Sequence, residues 1–340
     1  MESVTSLSLS ALAPFFNSNT YTSVFVLVDE NTHSHCLSAF HLALNDCIEF
    51  EVLEVPAGED SKNIEICFQL WQALIDLKAD RNSCLVCLGG GMITDLGGFV
   101  ASTFKRGIDF IHIPTTALAM VDASIGGKTG INLAHLKNQV GTFALPKLII
   151  ADPRWLVTLP VSELRSGFSE MFKHALISSQ SYLHLCLEAE LNSESIANLI
   201  EESMKIKSDI VQQDPKEKGI RKALNFGHTA GHAFESLSHV NKAPVLHGDA
   251  IAWGMRVALK LSASKCGFPQ EELQRIDGFL KTTYANHQCR YEANDLWEIM
   301  LADKKNENGE VKFVLLKAIG TPVISQTVTI EEFQAALLGL

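Results

Sequence analysis

The sequence predicts two domains: an α/β N-terminal domain with a Rossmann-like, mostly parallel sheet, and an α-helical C-terminal domain, with the active site in the cleft between them. Three observations predict this. Strand and helix signals alternate through the first half of the chain, and helical periodicity takes over past about residue 160. At 340 residues the chain is also long enough to divide into two cores. The expected domains are 1–158 and 159–340.

The elements follow in order. "SVFVLVD" (23–29) is a β-rich run ending in an acid, and helical spacing follows over 35–44. "IEFEVLEV" (48–55) alternates with period two, as a half-buried strand does. In "SKNIEICFQLWQALIDL" (61–77), Ile64, Phe68, Trp71 and Leu74 form one helical stripe, read as core. "CLVCL" (84–88) is continuously apolar, the pattern of a parallel strand covered on both faces. "FIHIP" (110–114) and "KLIIAD" (147–152) are further strands. Beyond them, 162–177, 193–214 and 247–265 carry a 3.6-residue period, with Ser162 and Ser193 as caps.

Composition narrows the function. Hydrophobic residues at 46% and charged residues at 20% are ordinary for a globular chain. A formal charge of -11 argues against a general nucleic-acid binder, whose footprint is a basic face. No apolar run approaches the roughly 18 residues of a membrane span, and the start lacks a basic signal-peptide region. The expected address is the cytoplasm, with no membrane partner. Eight cysteines are too sparse for a disulfide scaffold. Cys84 and Cys87 form a C-x-x-C inside an apolar strand, where they pack as small hydrophobes.

Three segments carry polar chemistry. "GGG" at 89–91 ends a strand and opens a helix, where backbone N–H groups can approach a pyrophosphate. It is not G-x-G-x-x-G, so a nucleotide turn and a bare tight turn both stand. "VDASIGGKTGIN" (121–132) has the character of a binding loop, but Asp122 occupies the upstream glycine position of a P-loop, which removes that reading. "NFGHTAGHAFE" (225–235) places His228 and His232 four residues apart, on one helical face and at a spacing that suits zinc. Twelve histidines in 340 residues give about 12 × 12/340 ≈ 0.4 such pairs by chance, so the spacing alone is weak. Thr229 stands where a zinc protease needs its glutamate, which excludes peptide hydrolysis. "LHGDA" (246–250) and "GFSEMFKHA" (167–175) add His247, Glu170 and Lys173. A metal site and satisfied interior polar residues are both compatible with these.

Taken together, the segments resemble the 3-dehydroquinate synthase family, in order from about residue 24 to residue 320. The resemblance is carried by "PAGEDSK" (56–62), the block from "GGGMITDLGG" (89–98) through "VDASIGGKTGIN" to "LKNQVGTF" (136–143), "LPVSELRSGFSEMFKHALI" (159–177), "NFGHTAGHAFE", "LHGDAIAWGM" (246–255) and "DKKNENGEVKFVLL" (303–316). It implies a divalent metal, zinc or cobalt, on Glu170, His228 and His247, leaving His232 to face substrate as an acid–base group. For NAD it implies Asp29, Glu59, Lys62, Gly90, Gly91, Asp95, Thr115, Thr116, Lys128, Lys137, Thr158, Leu159 and Glu163. For catalysis it implies Arg106, Asp122, Lys128, Asn138, Lys173 and His232. For substrate binding it implies Lys137, Lys207, Arg221, Asn225 and the Lys304–Lys305 pair. Leu136, Ser169 and Asp249 depart from the common pattern, where Gly, Ala and Glu are usual, and none removes a charged or ligating group.

The activity implied is conversion of 3-deoxy-D-arabino-heptulosonate 7-phosphate to 3-dehydroquinate and phosphate, in a homodimer. The substrate's carboxylate and phosphate account for lysines and arginines gathered at motif positions in an acidic chain. Rival readings are another sugar phosphate cyclase, a metal- and NAD-dependent polyol dehydrogenase, and a non-catalytic relative. The last would have lost ligands or lysines, and none is missing.

Overall fold

The computed structural model describes residues 3–134, 136–285, 291–302 and 310–340. The chain forms two compact units, Met1–Pro160 and Val161–Leu340. The first contains β1 (Val4–Ser6), α1 (Leu12–Ser18), β2 (Val24–Asp29), α2 (Glu30–Leu44), β3 (Glu51–Val55), α3 (Ile64–Asp76), β4 (Cys84–Gly89), α4 (Gly91–Thr103), β5 (Asp109–Pro114), β6 (Lys128–Leu133), β7 (Leu136–Phe143) and β8 (Leu148–Ile150). Six strands make one parallel sheet in the order β1-β8-β5-β4-β2-β3, and β6 and β7 form a separate antiparallel hairpin.

Burial explains the sequence patterns. β2 and β4 lie inside the sheet and are buried at every position, hence their unbroken apolar runs, Cys84 and Cys87 included. β3 is an edge strand burying only Leu53 and Val55, hence its alternation. Two expectations need correction. In α3 the buried stripe is Cys67, Leu70 and Leu74, while Ile64 and Phe68 are 41% and 65% exposed. Apolar residues ring this helix, so periodicity offered two stripes and the sheet covers the other. The 121–132 segment is also more than a binding loop. Residues Ala119–Ala123 make a π-helical turn, β6 starts at Lys128, and Val121, Ser124, Ile125, Thr129 and Ile131 are buried.

The second unit contains α5 (Val161–Ser178), α6 (Gln180–Glu188), α7 (Ser193–Gln213), α8 (His228–Val240), α9 (His247–Cys266), α10 (Gln270–Thr283), α11 (Ala293–Ala302), β9 (Lys312–Ala318), β10 (Thr321–Thr327) and α12 (Ile330–Leu337). The cap of α7 is Asn192, one residue before Ser193, its side chain accepting the Ser195 N–H at 2.9 Å. The helix α9 is buried over almost its whole length and packs against α5, α8, α10, α12 and β9. The β9–β10 hairpin interrupts the expected run of helices. Its Phe313, Val314, Leu315 and Leu316 are buried, and Leu316 N–H donates to Ser262 Oγ of α9 at 2.8 Å. Among the described residues, no helix is long and apolar enough to cross a membrane.

Candidate active site

Glycines lock three helices of the second unit at backbone contact. A Cβ on Gly248 of α9 would fall inside the 3.0 Å floor for such contacts against the Ser166 backbone of α5. The Gly248 N–H instead donates to Ser166 Oγ at 3.1 Å. A Cβ on Gly254 of α9 would collide in the same way with Gly227 O and the Gly231 backbone at the start of α8. Gly227, at φ +79°, turns the chain into α8. These approaches decide what faces what, because Glu170 lies one turn past Ser166, His247 precedes Gly248, and His228 follows Gly227.

As a result, donor atoms of Glu170, His228 and His247 all lie within 4.8 Å of one another. Nε2 of each histidine stands 3.7 Å from Glu170 Oε1. Glu170 is fully buried; its Oε2 pairs with Lys173 Nζ, and its Oε1 has no hydrogen-bond partner among the described residues. On the far side of each ring, His228 Nδ1 is 3.2 Å from Phe226 O and His247 Nδ1 is 3.2 Å from Glu235 Oε2. A carbonyl and a carboxylate only accept. In its neutral form each ring therefore carries its proton on Nδ1 and presents an Nε2 lone pair to Glu170.

The charges follow from burial and neighbours. Burial opposes ionisation of Glu170, but Lys173 and then the two histidines outweigh it and hold the carboxyl well below its usual range. Burial, reinforced by the Lys173 charge, holds His228 well below the ordinary imidazole value. For His247 burial also disfavours the charge, but the Glu170 and Glu235 carboxylates raise its pKa to about 10. The same carboxylates that draw a proton to this ring would draw a cation in its place. Glu170 Oε1 is buried, accepts no hydrogen bond among the described residues and meets the two ring nitrogens only at 3.7 Å, so a shared cation would satisfy it better than the rings alone do. Tetrahedral zinc, with ligands at about 2.0–2.2 Å, sets neighbouring donors roughly 3.4 Å apart. The observed spacing of 3.7 Å is close to that. One carboxylate and two imidazoles thus fit a divalent ion of zinc or cobalt type with coordination left for substrate.

His232, which spacing alone pairs with His228, has its ring centroid 5.1 Å from that of His228 and 5.9 Å from that of His247. It groups with Glu235 and His247 within the same 4.8 Å limit, not with Glu170. Lys173, Lys207 and Arg221 are buried, where cations seldom sit without a pairing or functional reason. Arg221 is held from both ends: its NH1 donates to Pro215 O at 2.7 Å and its N–H to Asp214 Oδ2 at 3.2 Å. Asn225 Nδ2 donates to Glu217 Oε1 at 2.6 Å, a carboxylate the sequence reading did not single out. Asp249, an acid one methylene shorter than the usual one, makes a two-point pair with Arg165 at 2.9 Å each. Ser169 Oγ donates to Ser166 O at 2.8 Å. Burial and then Asp249 push the Glu163 carboxyl up. Lys304 and Lys305 lie outside the described residues.

In the first unit β4 ends at Gly89, Gly90 caps and α4 begins at Gly91, with no side-chain cap. First-turn N–H groups are thus left for water or an anion. A Cβ at Gly90 would sit 3.1 Å from Thr116 Cγ2, and one at Gly91 3.3 Å from Ala123 Cβ, so small residues keep this cradle open. Thr115 N–H donates to Gly89 O at 3.0 Å. An uncapped helix start under a glycine turn fits a pyrophosphate. Nearby, the buried Lys62 donates to Asp95 Oδ2 and Asn138 Oδ1, both at 2.6 Å, and lies 3.8 Å from Glu59. Burial pushes the Asp95 carboxyl up, against the pull of Lys62. Glu59 and Lys62 line a pocket of about 280 Å³ with Asn132. Asp29 caps α2, accepting the Thr32 N–H at 2.8 Å. Arg106, at φ 70°, lines an open depression of about 770 Å³ with Asp80 and Lys105. Lys128, Lys137, Asn138 and Thr158 are exposed, Asp122, Thr116 and Leu159 half-buried, and Leu136 is 61% exposed.

Comparison with known proteins adds the following. Residues 52–166 match the family model described as 3-dehydroquinate synthase N-terminal, and residues 167–306 the one described as 3-dehydroquinate synthase C-terminal. A 3-dehydroquinate synthase of Parabacteroides distasonis is 45% identical over 336 residues, covering 96% of this chain and 94% of the relative. One from Bacillus pumilus is 41% identical over 275 residues, covering 79% and 75%. Among solved structures, a 2-deoxy-scyllo-inosose synthase complexed with carbaglucose-6-phosphate, NAD+ and Co2+ superposes with a TM-score of 0.88 at 22% identity, covering 99% of this chain and 96% of that one. A 2-epi-5-epi-valiolone synthase of Streptomyces hygroscopicus with NAD+ and Zn2+ bound gives 0.84 at 24% identity, covering 99% and 95%. At these identities the structural likeness establishes the fold.

Proposed function

The chain belongs to the 3-dehydroquinate synthase family, and from that premise we propose that it converts 3-deoxy-D-arabino-heptulosonate 7-phosphate to 3-dehydroquinate and inorganic phosphate, holding NAD and a divalent ion. The observation that carries the reading is identity to such synthases along nearly the whole chain. The convergence of Glu170, His228 and His247 supports the metal. When bound, the ion supplies Lewis acidity at the substrate's hydroxyl oxygens and NAD takes and returns one hydride, so the cycle has no net redox change.

The residues then divide the remaining work. Glu170, His228 and His247 would hold the ion, and the uncapped α4 start with Gly90, Gly91, Thr115 and Thr116 the pyrophosphate. Asp29, Glu59, Lys62, Asp95, Thr158, Leu159 and Glu163 would complete the dinucleotide contacts, with Lys128 and Lys137 beside them. Lys137, Lys207, Arg221, Asn225 and the Lys304–Lys305 pair would bind the substrate's anionic ends; guanidinium suits phosphate because it donates two parallel hydrogen bonds. Arg106, Asp122, Asn138 and Lys173 would orient the reacting carbons. Proton traffic falls to His232 and Lys128. The ketone acidifies the C–H on the carbon beside it, and phosphate leaves from the next carbon by β-elimination; the departing phosphate can accept that proton itself, so no strong protein base is needed. The ring opens and an intramolecular aldol closure gives the carbocycle.

The test is to supply the heptulosonate phosphate with trace NAD and zinc, following inorganic phosphate and NADH absorbance together. Stoichiometric phosphate without lasting NADH is expected. Accumulating NADH without phosphate would turn the reading toward a polyol dehydrogenase, and phosphate release only from a different sugar phosphate toward another cyclase.

A further inference from the structure

Glu235 of α8 is 6% exposed, and it follows His232 by three residues and His228 by seven, on their helix face. A carboxylate so buried needs a partner, and its Oε2 stands 3.2 Å from His247 Nδ1. Glu170 Oε1 faces the opposite nitrogen of that ring at 3.7 Å. One imidazole is thus bracketed by two carboxylates on different helices.

We infer that Glu235 is a positioning residue for His247. By accepting the Nδ1 proton it fixes the ring's tautomer and tilt, so that Nε2 is aimed at the point shared with Glu170 and His228. The inference rests on the metal reading above and adds a residue to it. Glu235 acts from outside the ion, because the two nitrogens of a rigid imidazole point in divergent directions. An oxygen hydrogen-bonded at one nitrogen does not reach a cation held at the other. The backbone prepares the contact independently. Ser238 Oγ donates to Glu235 O at 2.6 Å and accepts the Val245 N–H at 3.2 Å, tying the segment that leads into His247 to the turn that carries Glu235. Removing the Glu235 side chain therefore leaves the approach of α8 and α9 in place.

The experiment is cobalt titration of the full chain against a competing chelator, with the visible cobalt spectrum recorded, for wild type, E235Q and E235A. Cobalt Kd is expected to rise up to about 100-fold in E235A and about tenfold in E235Q, whose amide oxygen still accepts the Nδ1 proton. The band positions should be unchanged in E235Q, with NAD affinity and Tm as in wild type. Kd within twofold of wild type in E235Q and E235A would overturn the inference. So would a spectrum reporting a lost ligand, which would make Glu235 a direct donor. If E235A does not fold, E235Q alone decides by the same criteria. A wild-type chain that holds no cobalt would overturn the metal reading itself, a distinguishable failure.

Discussion

In the helical unit the groups proposed for the metal converge from three helices, Glu170 buried and His228 and His247 half-buried. Glu170 pairs with Lys173, and Glu235 with His247. In the α/β unit the cations Arg106, Lys128 and Lys137 are exposed, and the prepared part is backbone: a glycine turn and an uncapped helix start. Under the proposed function, the two units prepare their ligand contacts in different ways. One site is built from side chains whose charges are coupled at short range, as in those two pairs. The other sets its cations in the exposed part of the surface and prepares peptide groups at a helix start.

The largest effect should come from breaking the site in the helical unit. E170Q and H228A are expected to lose both the retained metal after dialysis and phosphate release, down to background. A variant that keeps metal and turnover together would mean the cluster is merely structural. The next effect sharpens the contrast between side-chain and backbone preparation. Gly248→Ala drives a methyl into the Ser166 backbone and should cost about 1–3 kcal/mol in denaturant unfolding while weakening metal retention. Gly90→Ala meets only a threonine methyl at 3.1 Å, so its unfolding midpoint should barely move while NAD affinity falls. Gly278→Ala, with nothing within 4 Å in the interior of α10, is the control and should stabilise by about 0.5–1 kcal/mol. Equal losses in all three would erase the distinction.

A separate effect is a pH dependence of stability set in the α/β unit, at a group outside the proposed ligand contacts. His112 is buried on β5, and burial lowers its pKa to about 4 from the ordinary 6.5. The unfolded chain therefore binds a proton that the folded one excludes. Stability is fully present above about pH 6.5 and is lost as pH falls through about 4, by about 3 kcal/mol. Denaturation curves of wild type and His112→Phe across that window should diverge by this amount, and parallel curves would exclude the effect.

How much of this was legible in the sequence depends on what kind of contact wrote it. The strands β2, β4 and β5 were readable because burial on both faces leaves a local, continuous signature. β1 has three residues, "VTS", too few for any period, and the glycine- and lysine-bearing β6 resembles a loop by composition. Periodicity identified α3 as a helix but not which of its apolar stripes meets the sheet, so Phe68 was misplaced. At the site, spacing within one helix suggests His228 with His232, whereas the grouping with Glu170 and His247 spans three helices and came from the family resemblance. Spacing put Glu235 on the face of His228 and His232 but gave no sign of its partner, because His247 lies on another helix.

His228 and His247 are each the opening residue of their helices. Opening turns are where helices fray, and amide protons there exchange with solvent most readily. An ion gripping both rings would latch two such turns at once, so occupancy and local breathing become a single equilibrium: whatever loosens either helix end also releases the ion.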